Sequence, residues 1–323
     1  MSIKFTLPFW ANLLIMDGYN LMRRNALSLV CISIGMGAVL SFCRWLQNQI
    51  AFDDDGLLVS SSLNWTIALL MIGSCVWYYF IIRGMKNSGF NQHADFKTAF
   101  SEGSKNFMII VWIFGILMAL GGLIYLFSSI DVSNSGLDMI YGILCIISGI
   151  AIPMAFSPLT SSSSKGTIAF LMTIPIIQLC FGLLGCYKLN STNPTIWEYA
   201  PEILAFSATL LTYYYVAGFA YGRSFTLRAF FFAMTSITFN ICCIADDLNF
   251  GQVIIILTTV GIFALMLWRM FLNLSDPDNK KFTKADNLVN PIIEESKKLS
   301  VAPPQRKEDY SVEDILKETD KKQ

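Results

Sequence analysis

The residues that could do chemistry inside a membrane in this sequence are neutral hydrogen-bonding side chains. Gln178, Asn240, Tyr213 and Tyr214 each lie within a long apolar run. Amides and phenols at such positions either bond one helix to another or bind a small solute. Because successive helical residues point about 100° apart, the neighbours Tyr213, Tyr214 and Tyr215 cannot all face one cavity. We take Gln178, Asn240, Tyr213 and Tyr214 as a candidate intramembrane polar site, with helix-to-helix bonding as the alternative.

The same apolar runs lack the groups that acid–base chemistry needs. No lysine, carboxylate or histidine is expected deep within a run, and Arg44, Asp138 and Arg269 fall at the predicted boundaries, where long side chains reach water. The sequence has no His-Glu-x-x-His motif, no phosphate-binding loop and no dinucleotide fingerprint. Its single histidine, His93, lies in a polar loop without further metal ligands. We therefore expect a protein that is not an enzyme and that holds no cofactor or metal.

Composition defines the setting for these residues. The chain has 323 residues, of which 54% are apolar and only 14% are charged, whereas soluble proteins are about 25% charged. Residues 274–323 contain 21 of the 46 Asp, Glu, Lys and Arg residues, so the rest of the chain is poorer in charge still. This distribution excludes a soluble globular protein and a basic nucleic-acid binder, and it predicts an all-α polytopic membrane protein whose first partner is the lipid bilayer.

Eight apolar runs are long enough to be membrane spans, which need about 20 residues. They are continuous rather than alternating, which predicts helices and not a barrel. The predicted spans are 26–46, 65–85, 107–127, 139–156, 167–187, 203–221, 229–244 and 251–272.

The basic residues predict the orientation of these spans. With the N-terminus inside, the inner segments before residue 274 carry 11 Lys and Arg residues, and the outer segments carry only Arg44 and Lys188. Basic residues are retained on the cytoplasmic side. Both termini are therefore predicted to be cytoplasmic.

Two terminal segments flank the predicted transmembrane domain, which covers residues 26–273. Residues 1–25 mix apolar and polar side chains, which predicts an amphipathic helix in the membrane interface. Residues 274–323 are charged and contain prolines, which predicts a mostly disordered cytoplasmic tail with a short helix near 311–322. Val312, Ile315 and Leu316 would form one apolar face of that helix and are candidate partner-docking residues, although charged tails are often only solvating.

Shorter patterns add four expectations about packing and cross-linking. Phe96 and Phe100, four residues apart, indicate a short surface helix in the loop 86–106. The small residues of Ser33–Gly37 and Gly218–Gly222 favour close helix contacts, within the chain or between subunits.

Pro175, three residues before Gln178, favours a kink or a broken helix. The eight cysteines lie in apolar runs, and a disulfide among the four near outer helix ends, Cys43, Cys186, Cys242 and Cys243, is left open.

Two functions fit this sequence. The first is a non-catalytic multi-pass subunit or scaffold of a larger membrane complex of the secretion, conjugation or envelope type, which would meet other subunits through its cytoplasmic face and tail. The alternative is a transporter or channel for a neutral or weakly polar small solute, because the polar site near Gln178 needs no buried charge. The compact loops favour a bacterial inner membrane.

Overall fold

The computed structural model describes most of the chain between residues 26 and 272. The described residues are 26–50, 62–87, 96–100, 105–132, 136–157, 165–191, 196–221, 223 and 225–272. All of them belong to one compact unit, Met1–Asp276, and the second unit, Pro277–Gln323, lies outside them. The predicted interfacial helix, the tail helix with Val312, Ile315 and Leu316, and His93 also lie outside the described residues.

Nine helices form the described part of the chain. Eight of them are long and apolar enough to cross a membrane, and one, α3, is a short helix of five residues. Their bounds are α1 Ala26–Ile50, α2 Ser62–Asn87, α3 Phe96–Phe100, α4 Lys105–Val132, α5 Gly136–Phe156, α6 Lys165–Leu189, α7 Ile196–Ala220, α8 Thr226–Cys243 and α9 Phe250–Leu272. The prediction of eight apolar helices is confirmed.

The outer surface of the bundle identifies a multi-pass membrane protein. Large apolar side chains such as Leu69, Ile72 and Phe170 are more than 60% exposed along the helices. A water-soluble protein rarely exposes so much contiguous apolar surface, whereas lipid covers it without cost. Helices also satisfy their own backbone groups, as the hydrocarbon core requires.

The main helix contacts form a closed ring. Each of α4, α5, α6, α7, α8 and α9 packs against the next, and α9 returns to pack against α4. Helices α1 and α2 lie outside this ring and pack against α8. Helix α8 is therefore surrounded by α1, α2, α7 and α9, and it is the most buried of the eight long helices.

The sequence of α8 explains its central position. It is the least apolar of the eight long helices, and its polar side chains form bonds to its neighbours. The Thr238 hydroxyl lies 2.6 Å from the Tyr78 hydroxyl of α2 and donates to the Ser33 carbonyl of α1 at 3.1 Å. Hydroxyl groups are costly in lipid but stabilise a helix contact when paired. These bonds hold α1 and α2 on α8.

Glycines hold α4 against both of its neighbours in the ring. A Cβ atom at Gly115 would lie 2.4 Å from the Gly149 carbonyl oxygen of α5, and one at Gly122 would lie 2.9 Å from that of Gly142. On the other side, a Cβ atom at Gly251 of α9 would lie 2.6 Å from a backbone nitrogen of α4. Such close backbone approach is how helices associate in lipid, where no hydrophobic force drives them together.

The small-residue motifs are used within the chain where they are described. Ser33 and Gly37 face α8, and a Cβ atom at Gly37 would lie 2.8 Å from Ile241. Gly218 lies in the last turn of α7, and its carbonyl accepts hydrogen bonds from the Tyr221 and Arg223 amides, which follow the helix. Gly222 lies outside the described residues, so of the second motif only Gly218 is placed, and it lies at the turn that follows α7.

Helix α3 closes one end of the bundle, which we call the Phe100 end. The expected helix at Phe96 and Phe100 is present, but both rings are buried rather than on the surface. Phe100 lies 5.0 Å from Phe156 and 6.3 Å from Phe219 between ring centroids, and Phe107 lies 6.0 Å from Phe156. The exposed position was wrong because an apolar pair at this spacing suits an internal groove as well as an interface.

Two charged positions differ from the sequence expectation because the helices extend further than the apolar runs. Helix α7 begins at Ile196 rather than near residue 203, so Glu202 lies within a membrane-length helix instead of an outer loop. Arg44 does not reach out to water but is 1% exposed inside the bundle. Arg269 lies over the Phe107 ring, 4.8 Å from its centroid.

Candidate functional site

The ring of α4 to α9 encloses a cavity of about 510 Å³. Residues of all six ring helices line it, together with Arg44 and Asn48 of α1. Its wall runs along α7 from Glu198 to Tyr213, a distance of about 22 Å at 1.5 Å per residue. The cavity therefore extends through more than half of a hydrocarbon core that is about 30 Å thick.

The cavity has one open end and one closed end. It reaches the surface at the end of the bundle where α1 finishes, since the exposed residues Glu198 and Asp247 are part of its wall. We call this the Arg44 end. Beyond Tyr213, whose ring lies 4.8 Å from Phe263, the interior is filled by the buried rings of the Phe100 end. The shape is that of a vestibule with a packed base.

Arg44 organises the mouth of the vestibule. Its Nε donates to the Asp246 carboxylate at 2.6 Å, its Nη1 donates to Gln47 Oε1 at 2.8 Å, and its Nη2 donates to the Glu198 carbonyl. Gln47 in turn donates to Asn64 Oδ1 of α2 at 2.5 Å. One guanidinium thereby joins α1 to α7 and to the α8–α9 turn, with Gln47 extending the network to α2. A buried arginine requires this degree of bonding, because an unpaired charge in the interior is very costly.

Asp246 has a carboxylate that is only partly compensated. Burial raises its pKa above the ordinary value, and the nearby Arg44 guanidinium and the Asn48 amide offset part of that increase. The Asn48 side chain donates to the same oxygen at 3.2 Å. The attraction between Arg44 and Asp246 is therefore largely offset by the cost of burying them, and the surrounding hydrogen bonds hold the pair in place.

Two further carboxylates lie in the wall below the mouth. Asp138, in the first turn of α5, accepts a hydrogen bond from the Tyr125 hydroxyl of α4 at 3.0 Å. Glu202 of α7 accepts from the Cys186 thiol of α6 at 3.3 Å. The sequence pattern did not single out these residues, because carboxylates at the ends of apolar runs are usually wet loop residues.

Two residues of the wall each carry a buried polar atom that has no hydrogen-bond partner among the described residues. The two atoms are Gln178 Oε1 and the Tyr213 hydroxyl, and each side chain belongs to a residue that is 1% exposed. The Gln178 amide nitrogen donates to the Cys145 sulfur at 3.1 Å, so only its oxygen is unpaired. An unsatisfied buried polar atom costs about 1–3 kcal/mol and calls for an explanation such as a ligand.

The structure brings together three of the four residues that the sequence suggested as a polar site. Gln178, Asn240 and Tyr213 all line the vestibule. The Asn240 amide also bonds α8 to α7, since its Nδ2 donates to Thr209 Oγ1 at 2.8 Å. Tyr214 points away from the cavity and is 59% exposed on the outside of the bundle. This separation is what the 100° turn between neighbouring helical residues requires.

All eight cysteines are free thiols, so no disulfide joins the four near the Arg44 end. Cys186 and Cys243 line the vestibule, whereas Cys31 and Cys180 are exposed on the outside of the bundle. Within the described ranges, no group of three or more His, Cys, Asp or Glu side chains is placed to hold a metal ion.

Comparisons with protein-family models, with curated proteins and with solved structures gave no match to this chain. The class of protein therefore follows from the fold alone, and it is a multi-pass integral membrane protein with eight membrane-length apolar helices in the part of the chain that the structure describes. The vestibule within its six-helix ring is the feature from which a function can be argued.

Proposed function

We propose that this protein is a membrane carrier or channel that takes a small polar solute into the vestibule from the Arg44 end. The observation that carries the proposal is the 510 Å³ cavity, which is lined by Gln178 and Tyr213, two residues that each carry a buried polar atom with no hydrogen-bond partner among the described residues. Ligand pockets for small molecules measure about 300–1,000 Å³ and combine apolar walls with a few placed polar groups.

The two ends of the vestibule suggest how access is controlled. The Arg44 end is open, and the base is closed by the Tyr213–Phe263 contact and by the aromatic cluster around Phe100. Transport would require these packed rings to separate while the mouth closes. Helix α6, which carries Pro175 three residues before Gln178, is suited to bending, because the proline removes a backbone hydrogen bond.

The direction of insertion belongs to the same proposal. Among the described residues, the Phe100 end carries Arg83, Lys86, Arg223, Arg228 and Arg269, while the Arg44 end carries only Arg44 and Lys188 and also has the five carboxylates of the vestibule wall. Basic residues remain on the cytoplasmic side of bacterial inner membranes. We place the vestibule mouth outside, both termini in the cytoplasm, and the protein in a bacterial inner membrane. The protein is proposed to be non-catalytic.

A single bulky side chain tests the proposal. Gly185 lines the vestibule, and a Cβ atom there would have only Asp138 near it, at 3.7 Å, so Gly185→Trp should fill the cavity without disturbing the helix contacts. Gly73 is exposed on α2 with no atom within 4 Å, and Gly73→Trp is the matched control.

The assay is a screen of small solutes for thermal stabilisation of the purified protein, followed by uptake of the stabilising solutes into proteoliposomes. Ligands stabilise the state that they bind. Solutes that stabilise the wild type and Gly73→Trp should have no effect on Gly185→Trp, and their uptake should be lost with it. Equal stabilisation of all three proteins, or no stabilising solute in the screen, would refute a solute site in the vestibule.

The scaffold function suggested by the sequence is the other proposal. Its docking residues, Val312, Ile315 and Leu316, lie outside the described residues. The Phe96 and Phe100 side chains, which a surface helix would have offered to partners, are instead used within the bundle. Recovery of stoichiometric membrane partners that depends on residues 310–323 would favour the scaffold over the carrier.

A further inference from the structure

The vestibule has a strong excess of negative charge. Among the described residues of its wall there are five carboxylates, from Asp138, Glu198, Glu202, Asp246 and Asp247, and one guanidinium, that of Arg44. Formal charges therefore leave four negative charges in excess, and Arg44 is already engaged with Asp246. A cleft lined by one sign of charge between low-dielectric walls concentrates ions of the opposite sign. Such a mouth attracts cations and repels anions.

Charge alone does not define a site, but the unpaired polar atoms indicate a second point of attachment. Gln178 Oε1 accepts hydrogen bonds and the Tyr213 hydroxyl donates or accepts them, and both are buried in the deeper wall of the same cavity. Neither has a partner among the described residues. A solute held by charge near the mouth could satisfy these atoms with a polar group at its other end.

One face of α6 connects the two points. Gln178, Gly182 and Gly185 are spaced at i, i+4 and i+7, so they share a side of the helix and span about 10 Å. A Cβ atom at Gly182 would lie 2.9 Å from the rings of Tyr141 and Phe206. The Tyr141 and Phe206 rings therefore pack directly against α6 at Gly182, between Gly185, which lies next to Asp138, and Gln178.

Asp138 can accept a further donor. The Tyr125 hydroxyl, which donates to its Oδ1, is one of its partners, and a carboxylate has about four acceptor positions on its two oxygens. The Tyr125 and Tyr141 rings are in edge contact with a centroid distance of 5.4 Å, and Tyr141 contacts Phe206 in the same way at 6.1 Å. A carboxylate next to aromatic rings is the combination that binds organic ammonium groups.

Building on the proposed function, we infer that the solute is an organic cation whose ammonium group binds at Asp138 beside the Tyr141 ring and whose far end bonds to Gln178 and Tyr213. The cavity volume fits a molecule of this size. A bare metal ion is a poor occupant, because its ligands must converge to within about 2.0–2.6 Å of one point. The preferred solute carries a hydrogen-bonding group at the end opposite its amine, so that its contacts cover the roughly 10 Å along α6 between Gly185, which lies next to Asp138, and Gln178.

Probes of matched shape and different charge test this inference. Tyramine carries an ammonium group and a phenol, tyrosol replaces the ammonium by a hydroxyl, and 3-(4-hydroxyphenyl)propionate replaces it by a carboxylate. The same three head groups on a phenethyl and on a hexyl body complete the panel. Binding of each probe to the purified full-length protein is measured by calorimetry, with Gly73→Trp as the unperturbed control and Gly185→Trp as the blocked control.

We expect at least one amine to bind roughly tenfold or more tightly than its neutral counterpart, as a charge-assisted hydrogen bond implies. The corresponding carboxylate should not bind. Asp138→Asn keeps an acceptor for the Tyr125 hydroxyl and so preserves the local structure, but it should remove the preference for the amine over the neutral probe. Gln178→Leu should weaken tyramine more than phenethylamine, because only tyramine has the distal hydroxyl.

The outcomes separate this inference from the proposed function. If neutral probes bind as tightly as the amines and Gly185→Trp abolishes that binding, the vestibule is a solute site but the cation assignment is wrong. A carboxylate probe that binds best, an amine preference that survives Asp138→Asn, or an absence of binding by every amine in the panel would also overturn the assignment.

Discussion

Replacing Arg44 by methionine should destabilise the protein, because it breaks a buried ion pair from one side. Removal of one partner from a buried pair costs about 3–5 kcal/mol, since the other charge is left uncompensated. In this pair the Arg44 side chain is 2% exposed and that of Asp246 is 19% exposed. Partial contact of Asp246 with the vestibule should reduce the penalty, so we expect a loss near the lower limit, about 3 kcal/mol.

The double variant Arg44→Met with Asp246→Leu is the control for this argument. Apolar replacement of both partners of a buried pair is often close to neutral. The double variant should therefore be more stable than Arg44→Met alone, although the Glu198 carbonyl loses a donor in both. The free energy of unfolding is measured in mixed micelles by titration with a denaturing detergent, using tryptophan fluorescence. A loss below about 1 kcal/mol for Arg44→Met, the size typical of an exposed pair, would show that Arg44 is not buried as described.

Three other variants test separate parts of the fold. Gly115→Ala should cost about 1–3 kcal/mol by overpacking, because the new Cβ atom would lie 2.4 Å from the Gly149 carbonyl oxygen, whereas Gly73→Ala, with no atom near its Cβ, should not lower the free energy of unfolding. Phe100→Ala should cost about 3–5 kcal/mol in the same unfolding assay, and a loss below about 1 kcal/mol would contradict its burial. Burial raises the pKa of Asp246, so the folded protein binds a proton more tightly than the unfolded chain. The stability contributed by this group is therefore present below the ordinary aspartate pKa and is lost as the pH rises through the raised value. The melting temperature of the wild type should accordingly fall relative to Asp246→Asn between about pH 4 and neutral pH, and an opposite trend would contradict the raised pKa.

The eight spans could be predicted from the sequence because each is a continuous apolar run, which in lipid must be helical. The ends of the spans do not follow from hydropathy alone, as α7 shows. Its first turns contain Glu198, Pro201 and Glu202, a composition typical of a loop, yet these residues form a helix because two of them line the vestibule rather than face lipid. A hydropathy pattern records how apolar a segment is and not which neighbour each side covers.

Part of the candidate site could also be predicted from the sequence. Gln178, Asn240 and Tyr213 stood out as polar residues inside apolar runs, and all three line the vestibule. Arg44 did not, because its partner Asp246 is 202 positions away and nothing local to either residue indicates the pair. The vestibule itself depends on how six helices close into a ring, which is a property of long-range packing.

Accessibility of single cysteines tests the central claim most directly, namely that a cavity runs from the Arg44 end to Gln178 and is closed beyond it. Gly185→Cys, Gln178→Cys and Gly73→Cys are placed one at a time in a chain whose eight native cysteines are serine. A membrane-impermeant thiol reagent is then applied to one side of sealed vesicles at a time. We predict labelling at 185 and 178 from the Arg44 side only, and none at 73, which is exposed on the outside of the helix bundle. Labelling at 178 from the Phe100 side, or no labelling at 185 from either side, would contradict the vestibule.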